Sequence, residues 1–220
     1  MTAPGFFGKL PSHGDFVGRR LPATLIDPLD AWLQRALLES RHALGDAWLP
    51  AWLESPIWRF VLTQGVCGAR SWSGVMMPSA DRVGRCFPLV LAAPGLAAPA
   101  LPDCLGLHAP WFARLEDLAL SALEEGFSID GFDAALLALD GAPGGSPAFQ
   151  EQQGRLARVA PLAGSAIPAL ACAPIGGSSA WWTDGSQQVA PCLAVCAGLP
   201  QPAGFAAMLD GAWPARGWDV

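Results

Sequence analysis

The sequence contains no tyrosine, a single lysine (Lys9) and three histidines among its 220 residues. Charged residues make up only 15% of the chain, and its 13 basic residues are outnumbered by 19 acidic ones, so the formal net charge is −6. Nucleic-acid binding depends on a basic footprint that neutralises phosphates, and this charge balance argues against it. The apolar content of 52% argues against intrinsic disorder over most of the chain.

Long hydrophobic segments without proline are also missing. The longest uncharged apolar run, residues 86–102, holds four prolines and is therefore a poor membrane span. The first residues lack the basic stretch and the apolar run of a signal peptide, so we expect a cytoplasmic protein. In that compartment we expect free thiols rather than a disulfide framework. The cysteines concerned are Cys67, Cys86, Cys104, Cys172, Cys192 and Cys196.

The first half of the chain predicts a long helix followed by strands. Asp27 and Pro28 form a typical N-cap and first helical position, apolar residues follow at helical spacing, and Gly45 is expected to end the helix. Three short apolar segments bounded by Gly or Pro then predict an antiparallel meander. These segments are residues 57–63, 70–77 and 86–93.

The second half begins with a predicted Pro-rich linker at residues 94–110. Beyond it we predict helices over 111–125 and 128–139, strands over 179–183 and 192–197, and a terminal helix over 205–209; residues 148–177 stay unassigned. Because strands and helices come in blocks and do not alternate strictly, we predict a mixed or antiparallel sheet with helices packed on it, and we favour a mixed, largely antiparallel one. One domain over residues 1–220 is favoured, with the linker as the possible internal boundary.

Motifs of common enzymes do not assemble in this sequence. The segment Gly5-Phe-Phe-Gly8-Lys9-Leu10 has two residues between its glycines where a phosphate-binding loop needs four, and no Ser or Thr follows the lysine. The G-x-S-x-G and H-E-x-x-H motifs are absent, and no zinc ligand set can be assembled. His13 and Asp15 could orient an imidazole for acid–base chemistry, but a loop in which Asp15 accepts backbone amides is favoured. We therefore expect no enzyme, no cofactor and no metal.

Two segments combine Gly, Pro and charged residues at predicted strand ends, where functional loops are common. They are GFFGKLPSHGDF at residues 5–16 and GVMMPSADRVGRCFP at residues 74–88. Asp81, Arg82 and Arg85 could pair with Lys9 and Asp15 in an ion network. Such a network could lock the two loops together, or it could form a surface that binds a protein or an anion.

GFFGKLPSHGDFVGRRLP, PIWRFVL, GVMMPSADRVGRCFPL and the later SAWW resemble the TagF (ImpM) family of type VI secretion accessory proteins. The resemblance implies a three-layer α/β sandwich, with a central sheet covered by helices on both faces. It also implies a non-enzymatic cytoplasmic protein that represses type VI secretion after translation, through a forkhead-associated scaffold protein. Ala80 stands where we expect Val, which is a mild departure.

Two functions remain open at this point. The first is an interaction protein, in which one or two of the ten tryptophans contact a partner; Trp181 and Trp182 alternate in a strand, so one should point outward. The second is a small-molecule or phosphate-binding domain with a polar site between loops 8–15 and 78–85. The candidate binding residues for either function are Lys9, His13, Asp15, Arg19, Arg20, Asp81, Arg82, Arg85, Trp181 and Trp182.

Overall fold

A computed structural model describes residues 3–95, 101–142, 157–162 and 177–220. In these ranges eight strands form one sheet, in the order β2-β1-β5-β4-β3-β7-β8-β6. The strands are β1 (Gly5–Gly8), β2 (Val17–Arg19), β3 (Trp58–Leu62), β4 (Ser71–Met77), β5 (Leu89–Gly95), β6 (Ala157–Pro161), β7 (Ser178–Thr183) and β8 (Cys192–Ala197). All neighbouring strands in this sheet pair antiparallel, so the predicted admixture of parallel strands is not observed.

The predicted meander is the centre of the sheet. β3 pairs with β4, with Phe60 opposite Gly74, and β4 pairs with β5, with Gly74 opposite Ala92. Gly74 is required at this crossing because a Cβ there would lie 2.1 Å from the Leu91 carbonyl oxygen and 2.9 Å from Phe60. The two predicted late strands are confirmed as β7 and β8, and β7 extends the meander through β3.

Six α-helices pack on this sheet within the described residues. They are α1 (Ala23–Leu44), α2 (Trp48–Leu53), α3 (Leu101–Leu105), α4 (Ala109–Ser121), α5 (Ile129–Leu137) and α6 (Ala207–Asp210). The helix-ending role of Gly45, at φ 54°, is confirmed. Of the two residues that the sequence offers as the N-cap of α5, Ser128 and Asp130, the structure uses Ser128, whose hydroxyl accepts from the Gly131 amide. The predicted linker is wrong in its second part, since α3 lies inside it and α4 begins at its end.

The predicted start of the first helix is also wrong. α1 begins at Ala23, four residues before Asp27, and the amides of Leu25 and Ile26 donate to the Pro22 carbonyl. Pro28 therefore lies in the second turn of the helix, where it removes one intrahelical hydrogen bond. Burial of Leu25, which is fully inaccessible, extends the apolar face beyond the proline and favours the longer helix.

Helices cover both faces of the sheet, which confirms the α/β sandwich. One core packs α1, α2 and the C-terminal segment against strand residues such as Phe60 and Trp181. The other packs α3, α4 and α5 against the alternate residues, such as Val61 and Trp182. Both Trp181 and Trp182 are at most 1% exposed, so the prediction that one of them points outward is wrong. A sheet that is covered on both faces buries successive residues of its strands.

The cysteines behave as small apolar residues. Cys67, Cys86, Cys104, Cys192 and Cys196 are free thiols, as predicted, and four of them are buried. Cys172 lies outside the described residues, as does most of the unassigned segment 148–177. Cys192 and Cys196 both face the core that contains α1. Burial raises the pKa of the Cys192 thiol to about 12 and that of Cys196 to about 11, so neither thiol ionises near neutral pH.

Candidate functional site: two loops joined by a buried carboxylate

The loop after β4 folds around the side chain of Asp81. Asp81 Oδ1 accepts hydrogen bonds from the amides of Val83 (3.1 Å) and Arg85 (2.9 Å), and the Gly84 amide donates to the Asp81 carbonyl. Gly84 has φ 82°, a backbone conformation that favours glycine. The DRVGR sequence therefore encodes a tight turn built on an aspartate that accepts its own loop's amides.

Asp81 also joins this loop to the one after β1. Its Oδ2 atom accepts from Lys9 Nζ at 2.9 Å and from Arg85 Nε at 2.6 Å. The Asp81 side chain is fully buried and that of Lys9 is 9% exposed, whereas that of Arg85 is 60% exposed. Ser79 adds a second link, because its hydroxyl donates to the Lys9 carbonyl at 2.8 Å. We call Lys9, Asp81 and Arg85 the loop network.

The loop network keeps Asp81 ionised. Burial alone would raise the pKa of this carboxyl, but the hydrogen bonds from Lys9, Arg85 and Val83 outweigh burial and hold the pKa well below its usual range. A carboxylate with both oxygens occupied in this way is positioned to hold structure together. Its geometry leaves little capacity to bind a further cation or to accept a proton near neutral pH.

The other loop residues predicted for the network lie outside it. The Arg82 amide donates to the His13 carbonyl at 2.9 Å, but in the described part of the chain neither Arg82 nor Asp15 makes a side-chain ion pair. His13 Nδ1 lies 2.8 Å from the Ser12 hydroxyl, and the Gly14 carbonyl accepts from the Arg85 guanidinium. The predicted pairing of Asp15 and Arg82 with the network is therefore wrong, and both side chains face solvent.

Two apolar residues stand beside these free charges. Phe16 is 48% exposed and Val83 is 68% exposed. The Phe16 ring stacks on Phe7 at 5.5 Å, meets Phe87 edge-on at 4.8 Å, and lies 5.2 Å from Lys9 Nζ. The contacts with Phe7 and Phe87 thus hold the Phe16 ring in place, while about half of the residue stays exposed to solvent. We call Asp15, Phe16, Arg82 and Val83 the loop surface.

Arg19 and Arg20 serve a different part of the molecule. Arg19 donates to Asp133 (2.7 Å) and to Asp130 (2.8 Å), and Arg20 pairs with Asp133 as well. These hydrogen bonds hold the pKa of Asp133 below its usual range despite the opposing effect of its burial. Both arginines therefore fasten the end of β2 to α5, and they do not join the loop network.

Sequence reasoning missed one ion cluster entirely. Arg59 of β3 donates to Glu116 of α4 at 2.7 Å and to Asp184 at 2.6 Å. Burial raises the pKa of Glu116 against the opposing effect of Arg59. No short-range pattern could reveal this cluster, because its members lie 57 and 125 residues apart along the chain.

The described part of the chain holds no group of three or more His, Cys, Asp or Glu side chains that could bind a metal ion. None of the helices in these ranges is both long and apolar enough to cross a membrane.

The antiparallel sheet, covered by a layer of helices on each face, places the chain in the class of α/β sandwiches, and the cross-linked loops lie at one end of that sheet. The model of the TagF N-terminal domain, type VI secretion system-associated, matches residues 5–139. This match covers more than half of the chain and includes the loop network, the loop surface and the Arg19–Asp133 pair. The chain therefore belongs to the TagF family and is a type VI secretion-associated protein.

A solved structure supports the same assignment. PA0076 from Pseudomonas aeruginosa PAO1 is 37% identical to this chain and superposes with a TM-score of 0.78. The alignment covers 95% of this chain and 94% of that one. No curated protein matches the chain.

Proposed function

We propose that this protein is a non-enzymatic regulator that represses type VI secretion after translation by binding a forkhead-associated scaffold protein in the cytoplasm. Membership of the TagF family supports the link to the secretion system. The loop surface carries the proposal of a binding role, because it places exposed apolar side chains beside charges that no partner within the described residues neutralises.

The composition of the loop surface suits a protein contact. Phe16 and Val83 offer apolar area, and Arg82 and Asp15 offer one charge of each sign. Interface centres favour aromatic residues and arginine, and charges around them steer the encounter. The loop network holds this surface in place, so binding needs little loss of backbone freedom.

The alternative, a phosphate or small-molecule site between the same loops, has less support. Lys9 and Arg85 would supply most of its positive charge, and Asp81 already accepts hydrogen bonds from both of them. Only Arg82 remains as an unpaired cation among the described residues of the two loops.

Binding of the purified protein to the forkhead-associated scaffold of the same secretion system tests the proposal. We expect Val83→Asp and Arg82→Ala each to weaken the scaffold affinity about tenfold, as expected for residues near an interface centre. Arg114→Ala is the matched control, since Arg114 is an exposed arginine of α4 outside the loop surface. Overproduction of the native protein should lower secretion of type VI substrates, and Val83→Asp should lower it less.

Each negative result overturns a different part of the proposal. If the native protein does not bind the scaffold, the assigned partner is wrong. If all variants bind like the native protein, the contact lies elsewhere on the molecule. Thermal stabilisation by phosphate or nucleotides that is lost in Arg82→Ala would instead favour the ligand site.

A further inference from the structure

A groove lies in the surface of the helical layer, where α4 ends and α5 begins. Its volume is about 240 Å³, below the range of about 300–1,000 Å³ that is usual for small-molecule sites. Its exposed lining residues include Glu124 and Glu125. The apolar residues that line it are buried or half-buried: Leu118, Phe127, Phe132 and Ala135. The groove therefore offers room to the side chains of another protein rather than to a free ligand.

The turn between the two helices gives this groove a fixed shape. The Glu124 amide donates to the Ser121 carbonyl at 3.2 Å, and the Phe127 amide donates to the Glu124 carbonyl at 3.4 Å. The Phe127 ring lies 5.4 Å from Phe132, whose ring lies 5.1 Å from Phe6 of β1. The groove is thus built on the sheet before any partner arrives, so binding there needs little loss of backbone freedom.

The charge of this region is strongly acidic. Residues 101–142 contain eight acidic residues and one basic residue. Three of the acidic residues pair with arginines of β2 and β3. The other five make no ion pair with any described residue: Asp103, Asp117, Glu124, Glu125 and Asp140. Glu124 and Glu125 line the groove, and no lysine or arginine of the described ranges lines it with them.

Two further features add to this character. The last turn of α4 has no basic residue, so the negative end of its helix dipole is not compensated beside Ser121. Leu120 and Leu123 are each about half exposed, and they directly precede Ser121 and Glu124 in the chain. Apolar side chains therefore stand next to carboxylates that lack a counter-charge.

We propose that this groove is a docking surface for a basic amphipathic segment of a partner protein. The occupant follows from charge complementarity, since an anion is repelled here and two glutamates are too few ligands for a metal site. An arginine of the segment donates to the carboxylates of Glu124 and Glu125, and its apolar neighbours pack against Leu123 and Phe127. Arginine fits better than lysine, because its planar guanidinium can bind two carboxylate oxygens at once.

Fluorescence anisotropy with three labelled synthetic peptides of about twelve residues, long enough for three helical turns, tests this proposal. The first peptide carries arginines and leucines at helical spacing. In the second every arginine is replaced by glutamate, and in the third every leucine is replaced by serine. We expect the native protein to bind the first peptide at least about tenfold more tightly than either of the others. The groove shares no residue with the loop surface, so this result does not depend on the scaffold proposed above.

Two double variants that lose the same charge separate the groove from the overall acidity of the chain. Glu124→Gln with Glu125→Gln should weaken binding of the arginine peptide about tenfold, the loss expected when charge-assisted hydrogen bonds are removed. Asp103→Asn with Asp140→Asn is the matched control, because it removes two exposed and unpaired carboxylates that do not line the groove. It should change the affinity less than about twofold. All four side chains are exposed, so both variants should fold.

The proposal is overturned if the arginine peptide does not bind at millimolar concentration, or if all three peptides bind alike. It is also overturned if the two double variants lose affinity equally, because the attraction would then belong to the whole acidic surface. NMR locates the contact independently. The amide signals of Gly126 and Ser128 should shift when the arginine peptide is added, and shifts confined to Phe16 and Val83 of the loop surface would contradict the assignment.

Discussion

The two ends of the central strands use polar residues in opposite ways. At the loop end, both oxygens of the buried Asp81 accept hydrogen bonds, and Lys9 and Arg85 are directed at them. At the opposite end, which we call the cavity end, a cavity of about 620 Å³ is lined by residues that include Cys67, Trp72 and Pro94. The buried indole N–H of Trp72 has no acceptor among the described residues, and Arg70, which also lines the cavity, has no ion pair there. Polar groups that satisfy one another hold structure, whereas a buried donor without an acceptor costs the folded state free energy.

Among the substitutions that test this comparison, removal of the Asp81 carboxylate should lower Tm the most. Asp81→Ala leaves Lys9 with no counter-charge in a buried position and frees two loop amides, so we expect Tm to fall by about 10 °C. Arg82→Ala, one residue further on, should change Tm by only about 1 °C, because its side chain faces solvent. Differential scanning calorimetry of the two variants measures both. Equal Tm values would show that the loops do not depend on the network.

The pH dependence of stability tests the stabilising role of the ionised Asp81 independently. The pKa of Asp81 is lower in the folded protein than in the unfolded chain. The contribution of its carboxylate to the free energy of unfolding is therefore fully present above the unfolded pKa, at pH of about 4. As pH falls further, the unfolded chain binds the proton first and this contribution is progressively lost. We therefore expect the Tm difference between the native protein and Asp81→Asn to be constant from pH 7 to 5 and to shrink below pH 4. A difference that persists undiminished to pH 2 would contradict the assignment.

Thiol reactivity gives a smaller and more local comparison. Cys86 at the loop end is partly exposed, whereas Cys67 at the cavity end is 1% exposed and its pKa is raised to about 11 by burial. At pH 8 we expect iodoacetamide to modify Cys86 at least tenfold faster than Cys67. Mass spectrometry of the labelled peptides, with Cys86→Ser as the control for assignment, measures the two rates. Faster labelling of Cys67 would mean that the cavity opens more widely than its structure indicates.

Local patterns were sufficient for most strands and for the ends of several elements. The meander was predictable because Gly and Pro bound each apolar segment, and Gly45 and Ser128 marked helix boundaries by their own chemistry. The first helix was harder to place. Asp27-Pro28 satisfies the local rules for a helix start, yet the burial of Leu25 moves the boundary, and burial depends on the tertiary structure.

The candidate site was predictable only in part. The Gly, Pro and charge pattern of the two loops brought together Lys9, Asp81 and Arg85 correctly. That pattern could not separate these residues from Arg82 and Asp15, because the direction of a side chain in a tight turn depends on the backbone of that turn. The cavity gave no local signal at all, since Trp72, Pro94 and Thr24 come from distant elements that meet only in the folded sheet.

The outer strands of the sheet also limit association between molecules. β2 has only three residues, and its Arg19 and the adjacent Arg20 are tied to α5. β6 ends in Pro161, which has no amide hydrogen to donate, and Asp219 exchanges backbone hydrogen bonds with Ala157 and Val159 on β6. Among the residues that the structure describes, neither border therefore offers a long free row of amides and carbonyls to a strand from another chain. A strongly apolar sheet of eight strands can thus resist polymerisation through its edges in a crowded cell.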